Sequence, residues 1–77
     1  MPRYFFHIKE GDKVTADEEG EEFDTLETVR KVAVESAREI MSQDVLNGRA
    51  PNGRTFVIAD ETGRTALALA FKEALDH

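Results

Sequence analysis

The sequence predicts an α+β fold: one long helix packed on a four-stranded, mostly antiparallel sheet, in the chain order ββαββ. Three observations predict it. Between Asp24 and Gly48 apolar residues recur every three or four positions, the period of one helical face. On either side, RYFFHIK (residues 3–9), RTFVIA (54–59) and RTALALAF (64–71) carry the aromatic, β-branched and alternating character of strands. Between these runs lie glycine-bearing turn sequences. All 77 residues make a single domain, 1–77, since a chain this short builds only one modest core.

Taken in order, the first strand points Tyr4, Phe6 and Ile8 one way and Arg3, Phe5, His7 and Lys9 the other. Glu10-Gly11-Asp12 turns the chain, and Lys13 to Ala16 form a short returning strand. An acidic loop follows, turning at Gly20 and ending at Phe23, an apolar residue placed to staple the first helical turn near Thr28 or Val29.

In the helix, Leu26, Val29, Ala33, Ala37, Ile40 and Met41 form the core stripe, while Glu27, Lys31, Glu35, Arg38, Glu39 and Gln43 face solvent. Asp24, with Glu27 three residues on, supplies the cap. Asn47 and Gly48 supply the stop, and Pro51 resists continuation. After a connection carrying Pro51 and the turn pair Asn52-Gly53, Arg54 to Ala59 form the third strand. Asp60-Glu61-Thr62-Gly63 turns into the fourth, whose Thr65, Leu67, Leu69 and Phe71 belong to the core side. The tail KEALDH has room for one terminal turn docking Leu75. Keeping all neighbours antiparallel favours the strand order 2-1-3-4, with 2-1-4-3 as the alternative.

Two size arguments then point to an interface. A helix from about residue 25 to 47 is roughly 33 Å long, against about 23 Å for a seven-residue strand, so Met41, Val45 and Leu46 overhang the sheet and need either the C-terminal tail or another subunit to cover them. The sheet side away from the helix collects Phe5, His7, Val57, Ala59, Ala66, Ala68 and Ala70, an apolar surface with no further element to cover it. A homodimer through this sheet face is the expectation.

The net charge of −6 is concentrated. Residues 10–24 hold eight acidic side chains and one lysine, which exceeds the net charge of the whole chain. The ten Lys and Arg residues are dispersed, so direct nucleic-acid binding, which needs a clustered basic surface, is not expected. There is no cysteine, hence no disulfide framework or thiolate metal site, which suits a reducing compartment. No apolar run reaches the roughly 20 residues of a membrane span, and MPRYFFHIKEG turns charged too early for a signal peptide. A cytoplasmic location with no membrane association is expected.

No residue pattern calls for a cofactor or a metal. Asp12, Asp17, Glu18, Glu19, Glu21, Glu22 and Asp24 suggest calcium, but their spacing is not that of an EF-hand, and a solvated acidic loop is the simpler reading. His7 and His77 fall short of a zinc set. His7 has no hydroxyl nucleophile linked to it by any motif, which favours a sheet-surface or interface role. Neither a Walker A nor a GxGxxG pattern occurs. The aromatics Tyr4, Phe5, Phe6, Phe56 and Phe71 lack the basic surround of a base-stacking platform and read as core and interface.

The opening MPRYFFHIKEGD, the DEEGEEF segment, SAREI in the helix and the late GRTFVIADETGRTALALAF together resemble a family of small proteins of unknown function from rhizobia and related alphaproteobacteria. The likeness covers nearly the whole chain, with PRYFF, the acidic D-x-E-G segment and the D-E-x-G-R hairpin as its marks. It implies a bacterial cytoplasmic origin and a compact α+β domain, and it transfers no active site. Many members of that family carry Asp in place of His7, which speaks against a catalytic role there.

The leading functional expectation is therefore a non-enzymatic protein-interaction module. It would be a homodimer through Phe5, His7, Val57, Ala59, Ala66 and Ala68 of the sheet and Met41, Val45 and Leu46 of the helix end, with a possible further protein partner. The alternative is an acidic inhibitor or nucleic-acid mimic that presents Asp17, Glu18, Glu19, Glu21 and Glu22 to a basic site. A small enzyme or ligand binder is a third class, for which a two-layer domain of this size leaves little pocket space.

Overall fold

The helix that organises the molecule is capped one residue later than expected. In the computed structural model, which describes residues 1–49 and 53–76, Thr25 is extended (φ −141°, ψ 157°) and its Oγ1 accepts from the Thr28 N–H at 3.2 Å. Thr25, not Asp24, is the N-cap: both can cap, but only Thr25 stands three residues before the N–H that needs an acceptor. The helix α1 runs Leu26–Leu46, about 31 Å at 1.5 Å per residue. It stops at a Schellman motif, in which the Arg49 N–H donates to the Asp44 carbonyl at 2.7 Å and the Gly48 N–H to the Val45 carbonyl at 3.0 Å. Gly48, at φ +75°, makes that closure possible. The Pro51 and Asn52 turn lies outside the described residues, as does His77.

Five strands make the sheet: β1 (Arg3–Glu10), β2 (Lys13–Thr15), β3 (Glu21–Glu22), β4 (Arg54–Ala59) and β5 (Thr65–Ala70). The path is β2-β1-β4-β5, with β3 also paired to β1, and every pairing is antiparallel. The count is thus five, not four, and with β3 also on β1 the sheet is not a simple 2-1-3-4 or 2-1-4-3 path, although the four expected strands lie in the relative order 2-1-3-4. The reason is local. Past β2 the chain leaves the free edge of β1 for five residues and then rejoins it, pairing Arg3 with Glu22 and Tyr4 with Glu21.

One side of the sheet and one stripe of α1 close the core. Val29, Ala33, Val34, Ala37 and Met41 from the helix are buried with Phe23, Phe56, Ile58, Leu69, Phe71 and Ala74. Phe6 meets Phe23 and Phe56 at ring-centroid distances of 5.7 and 5.6 Å, and Phe56 meets Phe71 at 4.7 Å, within the range in which tilted aromatic pairs attract. Leu26, expected in the core stripe, stays 47% exposed, while Val34, which that stripe omits, is buried.

The chain ends in a 3-10 helix, Phe71–Asp76, packed along α1. It docks through Phe71 and Ala74 rather than Leu75, which is exposed, and Arg38 Nε donates to the Ala74 carbonyl at 2.8 Å to hold it. Of the two covers expected for Met41, this tail is the one it has, which removes Met41 from the expected interface. At 4% exposure Met41 belongs to the same buried cluster as Phe71 and Ala74, so only Val45 and Leu46 remain uncovered at the helix end.

Candidate functional site

Two surfaces carry the chemistry, and both are set by β1. The first is the sheet face opposite α1. Register places His7, Val57 and Ala68 in one row across β1, β4 and β5. The Phe5 and His7 rings stack two residues apart on the same face, with centroids 6.4 Å apart and an interplanar angle of 10°. Phe5, His7, Val57, Ala66 and Ala70 are half-buried and Ala68 is exposed. Ala59 is the exception to the expected interface: only 6% exposed, it lies between Phe5 on one side and Thr65 on the other, where β5 carries the extra residue Ala66 and the register shifts.

The second surface is the acidic loop between β2 and β3, which is fixed rather than loosely solvated. Asp17 Oδ2 accepts from the Phe6 N–H at 3.0 Å, and Asp17 Oδ1 accepts from the N–H groups of Glu19 and Gly20 at 3.3 and 3.2 Å. The carboxylate thereby satisfies a β1 donor that no strand reaches at this point. In return the Asp17 N–H donates to His7 Nδ1 at 3.0 Å, which fixes the neutral imidazole as its Nε2–H tautomer. Burial pushes the Asp17 carboxyl up, but the N–H donors of Phe6, Gly20 and Glu19, together with His7, outweigh it and hold the group below the usual Asp value.

Gly20 completes the clip. At φ +68° it lies so close to β1 that a Cβ there would stand 2.8 Å from two Phe5 ring carbons and 2.9 Å from the Tyr4 carbonyl oxygen. Arg3 Nη1 ties down the Glu19 carbonyl at 3.0 Å.

Of the five residues expected to form an acidic partner surface, Asp17 is therefore a structural group occupied by three backbone donors. Glu18, Glu19, Glu21 and Glu22 remain exposed. The sequence reading missed Asp17's role, although a signal existed. Asp17-Glu18-Glu19-Gly20 repeats the pattern of Asp60-Glu61-Thr62-Gly63, where Asp60 Oδ1 accepts from the Thr62 and Arg64 N–H groups at 2.9 and 3.1 Å and Gly63 takes φ +89°. Asp followed three residues later by Gly is side-chain turn chemistry in both places.

The reading also missed Asp44, a buried carboxylate on α1 that meets Arg54 Nη1 of β4 at 2.9 Å. Among the described residues no group of three or more His, Asp or Glu side chains is placed to hold a metal ion, and no helix is long and apolar enough to cross a membrane.

The fold and its surfaces describe a small α+β domain with one open apolar sheet face and one fixed acidic loop. The chain belongs to the family of the domain of unknown function DUF6894, whose model matches residues 3–72. No curated protein and no solved structure shows a match to it.

Proposed function

We propose that the protein is a small non-enzymatic interaction domain that forms a homodimer through the sheet face opposite α1. The observation that carries this reading is the cross-strand row His7–Val57–Ala68, with Phe5 stacked on His7, an apolar band that the acidic loop touches only at its Phe5 and His7 end. Such bands mark interfaces more often than they face water. Val45 and Leu46, exposed at the end of α1, offer a second apolar edge. His7 supports a non-catalytic reading because its Nδ1 is already engaged by the Asp17 N–H. The absence of cysteine and the resemblance through PRYFF to alphaproteobacterial proteins support a bacterial cytoplasmic setting. The test is mass by light scattering at about 100 µM, for the wild type and for Ala68→Glu, a substitution on an exposed β5 position. A dimeric wild type and a monomeric variant are expected, and a monomeric wild type overturns the reading.

A second reading draws on the acidic loop, that of a module or inhibitor docking on a basic partner. It is favoured by the Asp17 clip, which presents Glu18, Glu19, Glu21 and Glu22 on a fixed backbone, so that less ordering is required on binding. Binding that weakens steeply with ionic strength supports it.

A further inference from the structure

A cleft of about 290 Å³ opens on the other side of the sheet from the proposed dimer face, between the acidic loop and the middle of α1. Its floor is apolar: half-buried Phe6 and Val32 line it, above Phe23 and Phe56, which touch the Phe6 ring but are almost closed off at 5% and 3% exposure. Ser36 of α1 forms part of one wall, and Glu19 and Glu21 line the other. Glu21 faces the cleft because alternation along the chain puts it on the same side as buried Phe23 and sends Glu22 away. No Lys or Arg lines the cleft.

Apolar floor and acidic wall together define the occupant. An apolar ligand would leave two carboxylates desolvated without a partner, and an anion would be repelled by them. A small inorganic cation would leave the surface of Phe6 and Val32 unused. A flexible alkyl stem ending in a cation satisfies both halves: the stem lies on Phe6 and Val32, and the charge reaches the carboxylates. We infer that the cleft bounded by Phe6, Phe23, Phe56, Ser36, Glu19 and Glu21 receives the cationic side chain, lysine or arginine, of a protein partner. This deepens the reading of the acidic loop as a docking surface for a basic partner and is independent of the dimer.

The test titrates the full chain with a short neutral-capped peptide carrying one central lysine, and with the same peptide carrying norleucine or arginine instead. The readout is the backbone amide shifts of Gly20 and Glu21. The lysine and arginine peptides are expected to saturate these shifts while the norleucine peptide binds at least tenfold more weakly. Glu19→Gln and Glu21→Gln each weaken binding roughly two- to fivefold, the size of an exposed ion pair. Ser36→Leu, which fills the cleft from a helical position where leucine is well tolerated, abolishes it while the circular dichroism spectrum stays that of the wild type.

Binding that survives Ser36→Leu overturns the cleft while leaving a general acidic docking surface intact. Equal binding of the norleucine peptide overturns the cationic occupant. Tighter binding of free spermidine than of the peptides overturns a protein as its source. The same amide shifts produced by dilution of the protein alone assign the cleft to a second copy and overturn the inference too.

Discussion

Asp17 grips β1 twice, once through its carboxylate on the Phe6 N–H and once through its own N–H on His7 Nδ1, each at 3.0 Å. One residue of the loop therefore fixes both the edge of the first strand and the ring that begins the His7–Val57–Ala68 row. The loop chemistry and the apolar face are mechanically one unit. The first prediction concerns the ring: in its neutral form His7 is the Nε2–H tautomer, because Nδ1 is an acceptor here. Long-range proton–nitrogen spectra should show that pattern in the wild type, and a dominant Nδ1–H signal would contradict the clip.

Removing the clip should cost stability. Asp17→Ala leaves the half-buried Phe6 N–H, and those of Glu19 and Gly20, without their acceptor. An orphaned buried donor costs about 1–3 kcal/mol, so urea unfolding should lose about 2 kcal/mol. Asp17→Asn keeps one acceptor oxygen and should fall between the two. The loop amides of Glu19 and Gly20 should exchange with solvent faster in both variants.

The same carboxylate sets a pH dependence. Its folded pKa lies below the ordinary value of 3.8. A group depressed on folding stabilises the protein fully above its unfolded pKa, and that contribution is lost as pH falls through the folded value. Asp60, depressed first by its bond from the Thr62 hydroxyl and then by the N–H groups of Thr62 and Arg64 and the Arg64 charge, acts in the same direction. Acidification from about pH 5 downward should therefore destabilise the wild type more than Asp17→Asn, with the two urea midpoints converging at the acid end. Parallel curves would show that Asp17 makes no such contribution.

Gly20 and Gly11 offer a controlled comparison. Both have positive φ, +68° and +60°, but a Cβ on Gly11 meets nothing within 4 Å, whereas on Gly20 it would collide with the Phe5 ring and the Tyr4 carbonyl. Gly11→Ala should cost about 1 kcal/mol, the conformational term alone. Gly20→Ala adds a clash with β1 backbone that cannot move aside, and should cost at least about twice as much by urea unfolding. Equal losses at the two sites would mean that the loop does not lie against β1 as described.

These residues also show what was legible in the sequence. Periodicity located α1 to within a residue or two because burial along Val29, Ala33, Ala37 and Met41 follows the helical period with little competition. The strands flanking it were legible for the same reason. What escaped was everything set by a side chain acting on distant backbone. The cap at Thr25 depended on which of two adjacent polar residues turned toward the Thr28 N–H. The fifth strand, Glu21–Glu22, has no apolar alternation, and its pairing follows from Asp17 bringing the chain back to β1. The length of the sheet leaves Met41 open to either the tail or a second subunit, and only the packing of the six-residue 3-10 helix decides for the tail. The candidate surfaces divided likewise: strand alternation put Phe5 on the face of the His7–Val57–Ala68 row, but counting acids could not separate Asp17, which holds the fold, from the exposed glutamates beside it.

The end of α1 supplies the last prediction. Asp44 is buried, and Arg54 meets both its carboxylate oxygens, Nη1 to Oδ2 at 2.9 Å and Nη2 to Oδ1 at 3.4 Å, so that the last helical turn is tied to the start of β4. Glu10 stands 3.6 Å from Arg54 Nε but is largely exposed. The three groups should therefore differ sharply. Arg54→Met strands a buried carboxylate and should cost about 2–4 kcal/mol, somewhat under the range for a fully buried pair because Arg54 retains some solvent access. Arg54→Met combined with Asp44→Leu removes both charges and should recover at least half of that loss, since two apolar groups of similar volume need no desolvated partner. Glu10→Gln should stay within about 0.5 kcal/mol, as expected of an exposed pair. Urea unfolding of the four proteins side by side checks the order. A double variant as unstable as Arg54→Met alone would show that Asp44 holds the helix end through packing or its capped carbonyl rather than through its charge.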